Sequence, residues 1–379
     1  MKVLHLIGGK ESAGSKNHLL PLLERFDKQN VYLCVFERGE IYDEAKQLGI
    51  KVFWLRQNTR YDATALFRLK AIISGQRIDI LHTHGARANV YGFLLKPFIR
   101  FTWMTTVHSD PRLDFIGRGL KGQLFTRMNV HVLKKADHLF AISGRFKNIL
   151  ESLGVSSQKI TVIYNGISFK NTIAKVATHQ RRDVGLSDED FVLLTVARLH
   201  PIKGHMYLLK ALRKVVDICP QLPVKWLIIG DGLLKQRLAD EARRWGLGER
   251  VILLGHQKNA QPFYELADVM VLPSLSESFP LVILEAAKAR VPVIATDVGG
   301  VGDLIIDRRY GWLVPPKDVE ALYQAIVEAV ALKKKGILKQ RGSRLAERVN
   351  QNFSLEHLVE RINKAYLLFG GRAEPHTGR

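Results

Sequence analysis

Glu277 and Glu285 are the two carboxylates whose setting singles them out, with seven residues between them. Glu277 lies in the turn Ser276-Glu277-Ser278-Phe279-Pro280, and Glu285 in the apolar run that follows. Ahead of them, 268–274 reads as a short buried strand and its exit, and 291–296 as a second strand that enters the turn Gly299-Gly300. Strand, acidic loop, helix and parallel strand make one βαβ unit. Ligands of such sheets bind at the carboxyl ends of the strands. An ionised carboxylate there accepts strong hydrogen bonds from vicinal hydroxyls. Two cations, Arg198 and Lys203, occur in Ala197-Arg198-Leu199-His200-Pro201-Ile202-Lys203-Gly204, just beyond another apolar run. Alone they read equally well as surface charges. Beside the acidic unit they suit a diphosphate, which needs fixed positive charge and accepts the planar fork of an arginine.

The elements that must position these residues alternate regularly. Apolar runs at 3–7, 31–35, 49–53, 78–82, 103–107, 139–142 and 160–163 read as strands. Segments with helical periodicity lie between some of them, such as 16–26 and 63–74. Residues 171–188 are polar and break the rhythm, and a second series follows at 191–196, 224–229, 251–254, 269–272, 293–295 and 312–314. The expected fold class is therefore α/β with doubly wound, mostly parallel sheets. At 379 residues two domains are the default. The expected organisation is a domain at 1–170, a linker at 171–188 and a second domain at 189–354. A terminal helix at 355–369 packs back on the first domain, and 370–379 forms a flexible tail.

The ordered set Ala197-Arg198-Leu199 with Lys203-Gly204, Gly230-Asp231-Gly232, Gly255-His256, Glu277 with Phe279-Pro280-Leu281, Glu285-Ala286 and Gly299-Gly300 resembles the retaining glycosyltransferases of family 4, also called group 1. The resemblance covers nearly the whole chain and is strongest over 191–314. It implies the GT-B fold, two Rossmann-like domains facing across a cleft. It also implies transfer of a sugar from a nucleotide-sugar donor, UDP by family frequency, to an acceptor hydroxyl with retention. Arg198 and Lys203 match the pair that holds the donor diphosphate. Glu277 matches the carboxylate facing the donor sugar, and Glu285 the one that binds the ribose. The amides between Phe279 and Val282, those of Phe279, Leu281 and Val282 (Pro280 has no N–H), then point at sugar and phosphate from a helix start, with Ser278 and Pro280 in the same donor-binding turn. Gly230 and Gly255 let backbone approach the base, and Gly14 and Ser15 open the helix after the first glycine loop. His108, in Thr106-Val107-His108-Ser109-Asp110, matches a histidine near the reacting centre, whereas a lone loop histidine is the plainer reading. The resemblance implies no resident cofactor and no metal, since the cations take the metal's place. Gly302-Asp303 replaces a common Pro-Glu of the family, and Ser168 replaces an acid after Asn165-Gly166-Ile167.

Other motifs point elsewhere. Gly117-Arg118-Gly119-Leu120-Lys121-Gly122 satisfies a dinucleotide pattern, but no clear strand precedes it. Asp188-Glu189-Asp190 precedes a strand rather than following one and reads as a turn. His82-Thr83-His84 has no third ligand at zinc spacing, and is expected to line the acceptor cleft at a strand end.

The formal charge is +21, and the first 170 residues hold 26 Lys/Arg against 13 Asp/Glu. A basic face suits an anionic membrane surface, an anionic acceptor or nucleic acid, or is simply solvated. No nucleic-acid motif accompanies it. Leu120, Leu124 and Met128 share one helical face, which packs either into the core or onto anionic lipid. No run reaches the roughly 18–20 apolar residues of a membrane span, and the first seven residues read as a strand rather than a signal peptide. Two cysteines without close spacing fit a reducing, cytoplasmic location, with peripheral membrane contact the expected variant. The expected role is polysaccharide or glycolipid synthesis for the cell envelope. A nucleotide-sugar epimerase or hydrolase of the same fold is the alternative, and a basic nucleic-acid-binding protein a distant one.

Overall fold

A computed structural model describes residues 1–9, 13–57, 62–114, 119–169 and 181–371. The chain divides into two compact units, residues 1–166 with 355–379, and residues 167–354.

The first unit runs β1 (Val3–Ile7), α1 (Ala13–Arg25), β2 (Val31–Val35), α2 (Glu40–Gln47), β3 (Lys51–Trp54), α3 (Thr64–Gln76), β4 (Ile80–His84), α4 (Ala86–Leu95), β5 (Thr102–Val107), α5 (Gly119–Lys134), β6 (His138–Ala141), α6 (Gly144–Ser152) and β7 (Ile160–Val162). Its sheet is parallel, ordered β3-β2-β1-β4-β5-β6-β7. Most of these strands are buried along their length, as a sheet covered on both faces requires. The order reverses between β1 and β4, which is the topological switch point. At the start of α6, Ser143 Oγ accepts from the Phe146 N–H and so serves one of the helix's free amides.

The second unit runs β8 (Phe191–Val196), α7 (His205–Ile218), β9 (Val224–Ile229), α8 (Lys235–Arg244), β10 (Val251–Leu253), α9 (Gln261–Tyr264), β11 (Val269–Leu272), α10 (Leu281–Lys288), β12 (Val293–Thr296), α11 (Val301–Leu304), β13 (Trp312–Val314), α12 (Val319–Lys334) and α13 (Leu338–Asn352). Its parallel sheet is ordered β10-β9-β8-β11-β12-β13, with the switch point between β8 and β11. One core cluster joins Leu193, Trp226 and Ile294 of the sheet to Leu208, Leu212 and Ile326 of α7 and α12.

The last helix, α14 (Leu355–Phe369), belongs to the first unit. Its Leu358, Ile362 and Tyr366 pack with Val3, Ile80, Met104 and Phe140, so it covers one face of the first sheet. Residues 171–180 of the expected linker and 372–379 of the expected tail fall outside the described residues.

β4 begins two residues later than the apolar run suggests. The N–H groups of Asp79 and Ile80 both donate to the Lys2 carbonyl, which sets where pairing with β1 starts. Thr83 and His84 are therefore inside the strand, paired with Thr105 and Thr106. The stripe Leu124/Met128 is not core. Both side chains are exposed, and α5 buries Asn129, Val132 and Leu133 instead.

Candidate functional site

In the second unit the expected residues gather at the carboxyl ends of the strands. Arg198 and Lys203 follow β8, Gly230 follows β9, Gly255 follows β10, and Glu277 follows β11. The cations and Glu277 thus come from the two strands that flank the switch point. The Lys203 ammonium donates to Glu277 Oε1 at 2.6 Å, and Ser274 Oγ donates to the same oxygen at 2.6 Å. Lys203 and Glu277 are mostly buried, with side chains 19% and 10% exposed. Arg198 is exposed, and its guanidinium makes no hydrogen bond or ion pair among the described residues.

The two loops are held together by backbone. Leu275 N–H donates to the Ile202 carbonyl at 2.7 Å. Gly204 sits at φ +68, where a Cβ would come 1.9 Å from the Pro273 carbonyl oxygen, so only glycine allows this approach. Gly299 does the same for the turn of Glu277. Its φ is +57, and a Cβ would lie 2.0 Å from the Glu277 carbonyl oxygen. Gly300 N–H donates to the Ser278 carbonyl at 2.7 Å.

Ser278, Phe279 and Pro280 form the turn into α10, and Leu281 and Val282 are its first residues. Phe279 is buried, its ring 5.7 Å from that of Phe353, which fixes the direction of entry. The first amides of a helix lack intrahelical partners and carry the positive end of its dipole. Glu285 is one turn further along, and its Oε2 accepts from the hydroxyl of the buried Tyr264 at 2.9 Å. Burial pushes the Glu285 carboxyl up, while the Tyr264 hydrogen bond and Lys288 pull it down. Asp190, from the Asp-Glu-Asp run, is buried and its carboxylate accepts from the Ser187 N–H, which makes that run a turn ahead of β8.

In the first unit, His108 follows β5, is half-buried, and lines a pocket with His84, Asn89, Ser109, Asp114 and Asn129. Asp114 accepts from Ser109 Oγ at 2.6 Å and from Asn129 Nδ2 at 3.1 Å. Gly14 and Ser15 fall in the first turn of α1, and their side-chain environment lies outside what is described, as do residues 10–12 of the preceding loop. Gly117 and Arg118 of the dinucleotide-like pattern also lie outside it, and Gly119 opens α5.

His82 does not line a cleft. It is fully buried and both ring nitrogens are bonded, Nδ1 to the Tyr366 hydroxyl at 2.5 Å and Nε2 to Thr106 Oγ1 at 2.7 Å. His84 is also buried, but it reaches the pocket wall. A third histidine does meet the pair: β1 places His5 in register with His82. His5 Nδ1 lies 3.0 Å from His84 Nε2, His84 Nδ1 lies 3.0 Å from His108 Nε2, and the Tyr366 hydroxyl lies 3.4 Å from His5 Nε2. Burial holds these rings neutral. His5 and His108 are pushed down to about 3 by desolvation, with the nearby His18 adding to it, and His82 and His84 are pushed well below the ordinary imidazole value.

Four residues were missed by the sequence reading: Ser274, Tyr264, His5 and Tyr366. Only Ser274 carries a local signal, a hydroxyl three residues before Glu277 and able to fold back on it.

Residues 190–331 match the family Glycosyl transferases group 1, and residues 12–170 match Glycosyltransferase Family 4. The N-acetyl-alpha-D-glucosaminyl L-malate synthase of Bacillus anthracis is 26% identical over 331 residues, covering 84% of this chain and 82% of that one. The UDP-Gal:alpha-D-GlcNAc-diphosphoundecaprenol alpha-1,3-galactosyltransferase of Escherichia coli is 24% identical over 377 residues, covering 97% and 95%. Among solved structures, Anabaena HepE in complex with UDP superposes with a TM-score of 0.83 at 21% identity, covering 97% of this chain and all of that one. The same protein has been solved with UDP-glucose, at a TM-score of 0.81. The architecture is therefore the two-domain GT-B fold.

Proposed function

This chain belongs to glycosyltransferase family 4, the group 1 glycosyl transferases, and on that premise we propose that it transfers a hexose from a UDP-sugar to an acceptor hydroxyl with retention at the anomeric carbon. The observation that carries the donor assignment is the cluster at the switch point: the Lys203–Glu277–Ser274 contact with an exposed Arg198 on the adjoining strand end. The proposed division of labour follows from charge. Arg198 and Lys203 stabilise the negative charge that grows on the leaving diphosphate, an electrostatic role typically worth about 3–4 kcal/mol per donor. Glu277, held by Ser274, accepts from donor-sugar hydroxyls. Glu285, held by Tyr264, accepts from the ribose. The amides at the start of α10 and the turn Ser278-Phe279-Pro280-Leu281-Val282 meet sugar and phosphate. Gly230 and Gly255 flank the base, Gly14 and Ser15 face the phosphates, and His108 supports the reacting sugar. In this reading the leaving phosphate oxygen takes the proton of the incoming acceptor hydroxyl. UDP in the HepE complex and in the donor name of the Escherichia coli relative supports the choice of nucleotide.

The test is a thermal-shift panel of UDP, GDP and ADP, followed by incubation with UDP-hexoses and candidate acceptors. Stabilisation by UDP alone among the three is expected, together with a product of unchanged anomeric configuration by NMR. Stabilisation by another nucleotide, an inverted product, or conversion of the donor to a new sugar nucleotide without acceptor overturns the reading.

The acceptor in this proposal is lipid-linked or polysaccharide, used in envelope synthesis, in line with the diphosphoundecaprenol named for the Escherichia coli relative. The first unit would meet an anionic lipid surface through α3 to α5. Helix α4 packs against both α3 and α5, and Phe67 on α3, Phe98 just after α4, and Leu124 and Met128 on α5 are exposed, as are Lys121 and Arg127 of α5. Apolar side chains among cations suit an interfacial helix face. No helix among the described residues is long and apolar enough to cross a membrane. Flotation with anionic vesicles tests it: salt-sensitive binding lost in Leu124→Glu supports the surface, and equal binding to neutral vesicles refutes it.

A further inference from the structure

Four histidines of the first unit, His5, His82, His84 and His108, do more than fill a core. His5, His82 and His84 stand close enough to suggest a metal site, with nitrogens within 4.8 Å of one another. Their rings, however, are nearly parallel, at interplanar angles of 15° to 29°, and His5 and His84 already meet nitrogen to nitrogen at 3.0 Å. All six ring nitrogens already have partners. The arrangement is a chain of hydrogen bonds: Thr106, His82, Tyr366, His5, His84, His108.

A neutral imidazole has one N–H and one bare nitrogen. In an unbranched chain, one choice of proton therefore settles all the others. The Tyr366 hydroxyl makes the choice. It has a single proton and two contacts, 2.5 Å to His82 Nδ1 and 3.4 Å to His5 Nε2. A phenol is the better donor and its proton goes to the shorter contact. Its oxygen then accepts from His5 Nε2–H. His5 Nδ1 is bare and accepts from His84 Nε2–H, and His84 Nδ1 is bare and accepts from His108 Nε2–H. The chain ends with a bare Nδ1 on His108, a nitrogen that makes no hydrogen bond among the described residues.

We propose that Tyr366, His5 and His84 are positioning residues that lock His108 in its Nε2–H tautomer and present its Nδ1 as a hydrogen-bond acceptor to a ligand hydroxyl. This rests on the reading of His108 as a group that meets the reacting sugar. The device also ties the strand-end histidine to α14, the helix that closes the first unit after the chain has passed through the second. Burial supports it, because a protonated ring would carry two N–H groups and break the sequence of donors.

The experiment is two-bond proton–nitrogen correlation NMR on histidine-labelled full-length protein, with assignment by loss of signals in His108→Ala and His5→Phe. In the wild type, His5, His82, His84 and His108 should all be Nε2–H. A mixture of senses among these four, or Nδ1–H on His108, overturns the proposal. In Tyr366→Phe, which removes one oxygen and keeps the ring, His108 should become a mixture of tautomers. The kcat of sugar transfer in this variant should fall about 10-fold, the effect of losing about one hydrogen bond, with the donor KM within about twofold. An unchanged His108 spectrum in Tyr366→Phe refutes the relay. The spectra require no substrate, so failure of sugar transfer would leave this result standing and strike only the assigned function.

Discussion

Lys203→Ala is the perturbation whose consequences the structure specifies most fully. The ammonium makes a 2.6 Å charge-assisted hydrogen bond to Glu277 in a setting where both side chains are mostly buried. Such a bond contributes about 1.5–3 kcal/mol, more than an exposed pair and less than the cost of breaking a fully buried one. Ser274 keeps its hold on the same Glu277 oxygen, so the lower half of that range applies, about 2 kcal/mol. For a unit of this size that lowers Tm by about 4–8 °C. Catalysis loses more. If Lys203 faces the leaving diphosphate, its removal costs about 3 kcal/mol of transition-state stabilisation, a factor of about 10² in kcat. The two effects separate in a double-mutant cycle with Glu277→Ala. Stability should show a coupling of about 1.5–2 kcal/mol between the positions, read by denaturant unfolding. UDP release from a UDP-sugar at saturating donor should be near background in each single variant. A coupling below about 0.5 kcal/mol would make the pair a screened surface contact. Near-wild-type turnover in Lys203→Ala would remove it from the donor site altogether.

Three further outcomes are expected. Gly299→Ala forces a Cβ to within 2.0 Å of the Glu277 carbonyl at a positive φ, so Tm and turnover should both fall; a Tm within about 2 °C of wild type would refute the close approach, given a strain of about 1–3 kcal/mol. Tyr264→Phe removes the donor that stabilises the Glu285 carboxylate, so UDP affinity by calorimetry should fall about tenfold, a charged hydrogen bond's worth, whereas an unchanged Kd would release Glu285 from the ribose. Burial depresses His5 to about 3 and His18 and His205 to about 4; the unfolded chain takes up these protons near pH 6.5, so this stability is complete above that pH and lost as pH falls toward the folded values. Each ring then adds up to about 1.4 kcal/mol of slope per pH unit, and denaturant unfolding that stays flat from pH 7 to 5 would contradict it.

The alternation of strands and helices could be read along the chain because its signals are local. An apolar run such as 191–196, a turn at Gly230 and a helical stripe at 207–216 each declare themselves within a few residues. The strand-end positions of Arg198, Lys203 and Glu277 were legible for the same reason, and Glu285 falls in the helix that follows, α10. The strand boundary at His82 was not, because the Lys2 carbonyl that starts β4 stands just ahead of β1, far away along the chain. The α5 stripe stayed open for a different reason. Periodicity finds the face of Leu124 and Met128, but whether a face is buried depends on which neighbour covers it, and here Val132 and Leu133 are the ones covered.

By itself, then, the sequence determined the α/β class, the order of elements and which side chains stand at strand ends, because those follow from contacts within one element and its turn. Only the tertiary structure decided that Ser274 and Lys203 share one oxygen of Glu277, and that His5, His84 and Tyr366 stand in file behind His108. Those pairings depend on strand order, on register and on a helix that returns from the far end of the chain, and no window of neighbouring residues contains that information.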